Sequence, residues 1–131
     1  MLKIEIKTSA RTDLVDITRK VQETVDKIKI KKGVCLVFVP HTTAGITINE
    51  NADVSVQEDI LSGLNKIAPE DGKYHHREGN SDAHIKTTLM NSQILVIIED
   101  GRLALGAWQG IYLCEFDGPR TRQVWIKTIK G

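Results

Sequence analysis

Four histidines, two adjacent threonines, an arginine and a few carboxylates are the residues of this chain best suited to chemistry. His41 follows the apolar run Val34–Val39 and Pro40, while His75, His76 and His84 fall in or beside the polar stretch Tyr74–Asp82. None lies inside an apolar run, where a core histidine belongs. A catalytic zinc site takes three protein ligands and leaves a fourth position open. His41, His76 and His84 are therefore a candidate set for a divalent metal, zinc above all, provided the fold unites the two stretches. No two of them have the i, i+4 spacing that would place them on one helix face. Without a metal the same residues make a hydrogen-bonding, anion-handling cluster. Glu50, Asp53, Glu78 and Asp82 share these stretches, each as a general base or orienting group for a histidine and otherwise as a cap or surface charge.

An anion cradle overlaps the histidines. Thr42 and Thr43 offer hydroxyls, and Gly45 permits close backbone approach. A helix starting near Ser81 and Asp82 exposes free N–H groups. Arg120, in the turn Asp117-Gly118-Pro119-Arg120, offers a bidentate guanidinium for phosphate, and is otherwise a solvated turn residue.

Several elements must hold these residues. Leu2, Ile4 and Ile6 alternate with charged residues as a half-buried strand. Thr18 is placed to cap a helix with Val21, Val25 and Ile28 on one face, and Gly33 to end it in the left-handed region. Val34–Val39 is apolar on both faces and reads as a buried central strand that Pro40 terminates. Ile46–Glu50 reads as a further strand. A second helix follows, with Ser55 and Glu58 at capping-box spacing, Asp53 as a further cap, and a stripe of Val56, Ile60, Leu64 and Ile67. Ser81 or Asp82 is expected to cap a third helix ending near Asn91. Ile94–Glu99 then reads as a buried strand, Asp100-Gly101 as a hairpin turn, and Gly110–Phe116 and Arg122–Ile129 as two more strands. This order predicts an α+β single domain, residues 1–131, with mainly antiparallel sheets and two to three helices. Open sheet edges favour self-assembly.

Composition narrows the field. Eighteen basic residues against seventeen acidic ones give a net charge of +1, which argues against nucleic acid as the main partner. The basic run Lys27, Lys29, Lys31 and Lys32 reads as complement to a helix C-terminus. No apolar run approaches the ~20 residues of a membrane span, and the start alternates like a strand rather than a signal peptide, so a cytoplasmic protein is expected. Cys35 and Cys114 read as small core residues without a disulfide. Trp108 and Trp125 are expected in the core or an oligomer interface.

Three ordered stretches bring a family into view. His41-Thr42-Thr43-Ala44-Gly45 with Ile48-Asn49-Glu50-Asn51-Ala52-Asp53, then Tyr74 through His84, then Gly106–Gly110 with Asp117-Gly118-Pro119-Arg120, resemble the signatures of the YjbQ-like family across essentially the whole chain. The resemblance implies a compact α+β domain assembled as a homotrimer. It also implies a suspected metal or phosphorylated-substrate site at His41, His76 and His84, with Glu78, Asn80, Asp82 and Arg120 around them. Some members are described as secondary thiamine-phosphate synthases, with weak ability to join the phosphorylated pyrimidine and thiazole precursors. The expectation is thus a small enzyme acting on a phosphorylated small molecule. In it His41, His76, His84, Glu78 and Asp82 are catalytic, and Thr42, Thr43, Asn80 and Arg120 bind substrate. A metal-dependent hydrolase and a non-catalytic metal- or anion-binding trimer use the same residues, and a third reading makes the polar loops trimer contacts alone.

Overall fold

Alternation along the strands decides which side chains meet between two sheets. The computed structural model describes residues 1–131, with three helices and eight strands. In order they are β1 (Leu2–Lys7), β2 (Asp13–Asp16), α1 (Thr18–Ile28), β3 (Gly33–Phe38), β4 (Ala44–Glu50), α2 (Val54–Ile67), α3 (Ser81–Leu89), β5 (Gln93–Glu99), β6 (Arg102–Leu103), β7 (Gln109–Glu115) and β8 (Thr121–Lys130). One sheet has the order β1-β8-β3-β5-β6 and the other β2-β7-β4. Every strand pair is antiparallel, so the architecture is α+β, as the order of elements predicts. No helix is long and apolar enough to cross a membrane.

The main core lies between the sheets. Ile6, Cys35, Val37, Val96, Ile98, Val124 and Ile126 face Ala44, Ile46, Ile111 and Leu113, with Val21 and Val25 of α1 in the same cluster. On the other side of β7, Cys114 and Phe116 pack with Leu64 of α2 and Ala83 of α3. The layers are therefore sheet, sheet and helices, with β7 buried on both faces. Both cysteines are buried and unpaired, and burial pushes the Cys35 thiol up to about 11 and that of Cys114 up to about 12.

Several local expectations are corrected. The helix α1 ends at Ile28, and Lys29 rather than Gly33 takes the left-handed position, at φ 62°. Gly33 instead opens β3 where the Ile129 carbonyl passes so close that a Cβ would collide with it. Thr18 is the first helical residue, and the Asp16 carboxylate accepts from its amide and hydroxyl at 3.0 and 2.6 Å. Asp53, not the Ser55–Glu58 box, caps α2 by accepting from the Ser55 amide at 3.0 Å. Asn80 holds the N-cap position of α3, which closes at Leu89. The Asp100-Gly101 turn joins β5 to β6 with φ of 51° and 77°, as a tight hairpin of that sequence should.

The larger correction concerns β3 and β5, which one chain buries on a single face. Cys35, Val37, Val96 and Ile98 point inward, whereas Leu95 is 65% and Ile97 61% exposed. Their neighbours Val34, Leu36, Phe38, Trp125 and Ile129 extend this apolar surface across β3 and β8. Neither tryptophan is in the core. Trp108 is 65% exposed, and Trp125 stacks on Phe38 at 5.7 Å between ring centroids with the Lys3 ammonium 5.1 Å above its ring.

Two glycines give opposite outcomes. Gly33→Ala should lower stability by about 2–4 kcal/mol, because it meets backbone and not a movable side chain. Gly63→Ala, within α2 with open space around it, should raise stability by up to about 1 kcal/mol. Urea melts of the two variants against the parent measure both.

Candidate functional site

β8 runs past the end of β3, and His41 occupies the corner this leaves. The last residues paired are Phe38 and Trp125, and beyond them the Gln123 amide donates to His41 Nε2 at 2.9 Å. An imidazole nitrogen that accepts cannot also carry a proton, so the neutral ring holds its proton on Nδ1. Burial, and then the Arg122 guanidinium, hold the His41 pKa below its ordinary value, against the opposing pull of Glu115.

Beneath His41 lies a buried ion pair. Arg122 is 3% and Glu115 0% exposed, and the guanidinium makes a bidentate contact with the carboxylate through Nε and Nη2. Arg122 Nη2 also donates to the Thr43 carbonyl and hydroxyl at 3.1 and 2.8 Å, which commits that hydroxyl to the scaffold. The Thr8 hydroxyl and the Asp117 amide donate to Glu115 at 2.8 and 3.0 Å. Burial alone would raise the Glu115 pKa, but these donors outweigh it and hold the carboxyl below its usual range.

The turn between β7 and β8 ties this corner to α3. Asp117 accepts from Asn80 Nδ2 at 2.9 Å, its carboxylate meets Arg120 Nη2 at 3.2 Å, and its carbonyl accepts from Arg120 Nε at 2.8 Å. Arg11, from the loop after β1, contacts Asp82 at 3.0 Å and both Asp117 and Glu70 at 3.2 Å. Asp82 is wholly buried, with its second oxygen 3.0 Å from the Lys86 ammonium, itself 1% exposed. Asp82 therefore positions α3. Of the residues expected at the site, Thr42, Glu78 and Arg120 are exposed, His41 and Asn80 half-buried, and Thr43 and Asp82 buried.

His76 and His84 stand together, edge to face, with ring centroids 5.4 Å apart. They border a hollow of about 460 Å³ with Tyr74, Ser81 and Ile85, and Glu78 lies 3.9 Å from His76 Nε2. Asn80 Oδ1 is buried without a donor. No three His, Cys, Asp or Glu side chains of one chain form a group able to hold a metal ion. One chain thus offers two adjacent imidazoles, short of the three protein ligands of a catalytic zinc site, and His41 Nε2 is already engaged.

Arg11, Glu115 and Arg122 were not among the residues singled out from sequence. A signal for two of them was present: Glu115 falls in phase with Ile111 and Leu113, and Arg122 with Val124 and Ile126, so both charges had to face inward. Charges at inward positions are paired.

Glu115→Gln should cost about 3–5 kcal/mol at neutral pH, because it leaves Arg122 buried without its counter-charge. The sign with pH follows from the depressed pKa. Stability from this carboxylate is present above its unfolded value and lost as pH falls through the lower folded value. Urea melts from neutral to acid pH should show the gap between parent and variant narrowing only on the acid side.

The family model for "UPF0047 protein YjbQ-like" matches residues 2–131. A UPF0047 protein of Methanocaldococcus jannaschii is 50% identical over 129 residues, covering 98% of this chain and 94% of that protein. YugU of Bacillus subtilis, also a UPF0047 protein, is 50% identical, covering 97% and 98%. A crystal structure of a YjbQ/UPF0047 protein from Clostridium acetobutylicum superposes with a TM-score of 0.96 at 53% identity, covering 98% of this chain and all of that one. Since the match runs from the first strand to the last and includes all four histidines, the chain belongs to the YjbQ/UPF0047 family.

Proposed function

We propose that this protein is an enzyme acting on a phosphorylated small molecule at the corner shared by His41, Arg120 and the start of α3. The observation that carries this reading is the β7–β8 turn, where Asp117 bonds both Asn80 and Arg120, while just beyond it the Gln123 amide of β8 holds His41. Arg120 is half exposed and anchored from one side, leaving its remaining N–H groups to an anion. The exposed Thr42 hydroxyl and the proton on His41 Nδ1 are further donors. Such donors stabilise charge that develops on a departing phosphate or diphosphate. Glu78, exposed beside His76, is the carboxylate placed to serve as general base. Transfer of an organic group from diphosphate, as in thiamine-phosphate synthesis, and hydrolysis both draw on these groups.

The proposal includes assembly and a metal. The apolar outer face of β3, β5 and β8 ends at Phe38 and Trp125, next to the His41 corner, so a copy covering that face arrives beside the site. In the proposed homotrimer His76 and His84 of one chain, together with His41 of another copy once its ring is released from the Gln123 amide, would hold a zinc ion. Bound there, the metal would supply polarisation of a phosphoryl oxygen and activation of water.

Three measurements test the reading. Sedimentation should give three times the 14.6 kDa of the chain, and Leu95→Glu with Ile97→Glu should give monomers. Elemental analysis should find zinc in the parent, with loss in His41→Ala, His76→Ala, His84→Ala and the monomeric variant. Inorganic pyrophosphate should bind the parent about tenfold more tightly than Arg120→Ala. A monomeric parent, zinc retained by the histidine variants, or unchanged pyrophosphate binding would each overturn its part of the proposal.

A further inference from the structure

At the opposite end of the β3–β8 pair from His41, four lysines converge from two distant stretches of chain. Lys29, Lys31 and Lys32 lie between α1 and β3, and Lys130 ends β8, beside Gly33. With Thr128, Ile28 and Ile30 they line a cavity of about 780 Å³. None of the four is paired with a carboxylate. The negative end of α1 is complemented within its own last turn by Lys27, so it does not account for three more lysines beyond the helix and a fourth from a strand a hundred residues away. Like charges brought together without counter-charges repel, and their convergence in a protein of net charge +1 marks a place where an anion offsets them.

The cavity narrows the anion. Its volume lies within the ~300–1,000 Å³ of small-ligand sites. Ammonium groups on flexible stems meet phosphates as point charges without demanding one planar geometry. Ile28, 37% exposed, and Ile30 give the cavity an apolar wall that an inorganic ion has no use for. The carboxylates nearby, Asp26 and Asp100, border an adjoining hollow of about 300 Å³ that shares Lys29 and Lys31. Asp26 already accepts from Gln22 at 2.8 Å. We propose that this lysine-lined cavity binds an organic polyphosphate of nucleotide size, with its phosphates among Lys29, Lys31, Lys32 and Lys130 and its ring against Ile28 and Ile30. β3 alone spans about 17 Å, so this site is separate from the histidine corner and does not depend on the function proposed for it.

The test is calorimetric titration of the full-length protein with ATP in EDTA at low salt, so that no metal at the histidines contributes. ATP should bind, more weakly as salt is raised, and about tenfold more tightly than inorganic tripolyphosphate, which lacks the apolar part. Lys31→Ala with Lys130→Ala should weaken ATP binding by at least about tenfold. ATP binding should persist in His76→Ala with Arg120→Ala, and the two lysine substitutions should weaken it there by the same factor. The lysines are exposed, and an unaltered melting curve confirms that the double variant is folded. Absence of binding, equal affinity for tripolyphosphate, parent-like binding by the lysine variant, or loss in the His76/Arg120 variant overturns the proposal.

Discussion

The ion pair between Glu115 and Arg122 is the constraint around which the His41 end of the molecule is arranged. It joins the last residue of β7 to the second of β8, and through Thr43 and Thr8 it reaches the entry to β4 and the end of β1. Two charges taken out of water are tolerated only when their remaining hydrogen-bonding capacity is filled. Here the Asp117 amide and the Thr43 carbonyl help fill it. The pair therefore sets where the β7–β8 turn and the His41 loop lie relative to one another. An apolar pair of the same volume would leave this backbone without those partners.

From this pair the site spreads outward by charge alternating in sign. Asp117 lies between Arg11 and Arg120, and Asp82 between Arg11 and Lys86. Each buried charge has an opposite neighbour, and the chain of contacts ends at Arg120, whose outer side meets solvent. Anchored groups of this kind lose little freedom when a ligand arrives, which favours tight positioning over adaptability.

Much of the fold was legible because strand alternation and helix spacing are local. The α1 face of Val21 and Val25, the Asp100-Gly101 turn and the long strands at the C-terminal end lie where the pattern puts them. β2 and β6, of four and two residues, were too short to carry a period. The run Val34–Val39 shows that both faces are apolar, but which of them this chain covers depends on a sheet formed by residues far away. At the site, the histidines were visible as polar residues at element ends. Arg11 was not, because its partners Asp82 and Asp117 lie 71 and 106 residues along the chain.

The position of β7 has a consequence for breathing motions. It is hydrogen-bonded to β2 on one side and β4 on the other, and it contributes to the hydrophobic clusters on both of its faces. No local opening can expose its central amides without dismantling two clusters at once, so they exchange with solvent only when the whole domain unfolds. Cys114, the last but one residue of that strand and wholly buried in the second of these clusters, is correspondingly a thiol that alkylating reagents reach at the rate of global unfolding, a built-in clock for how long the native state persists.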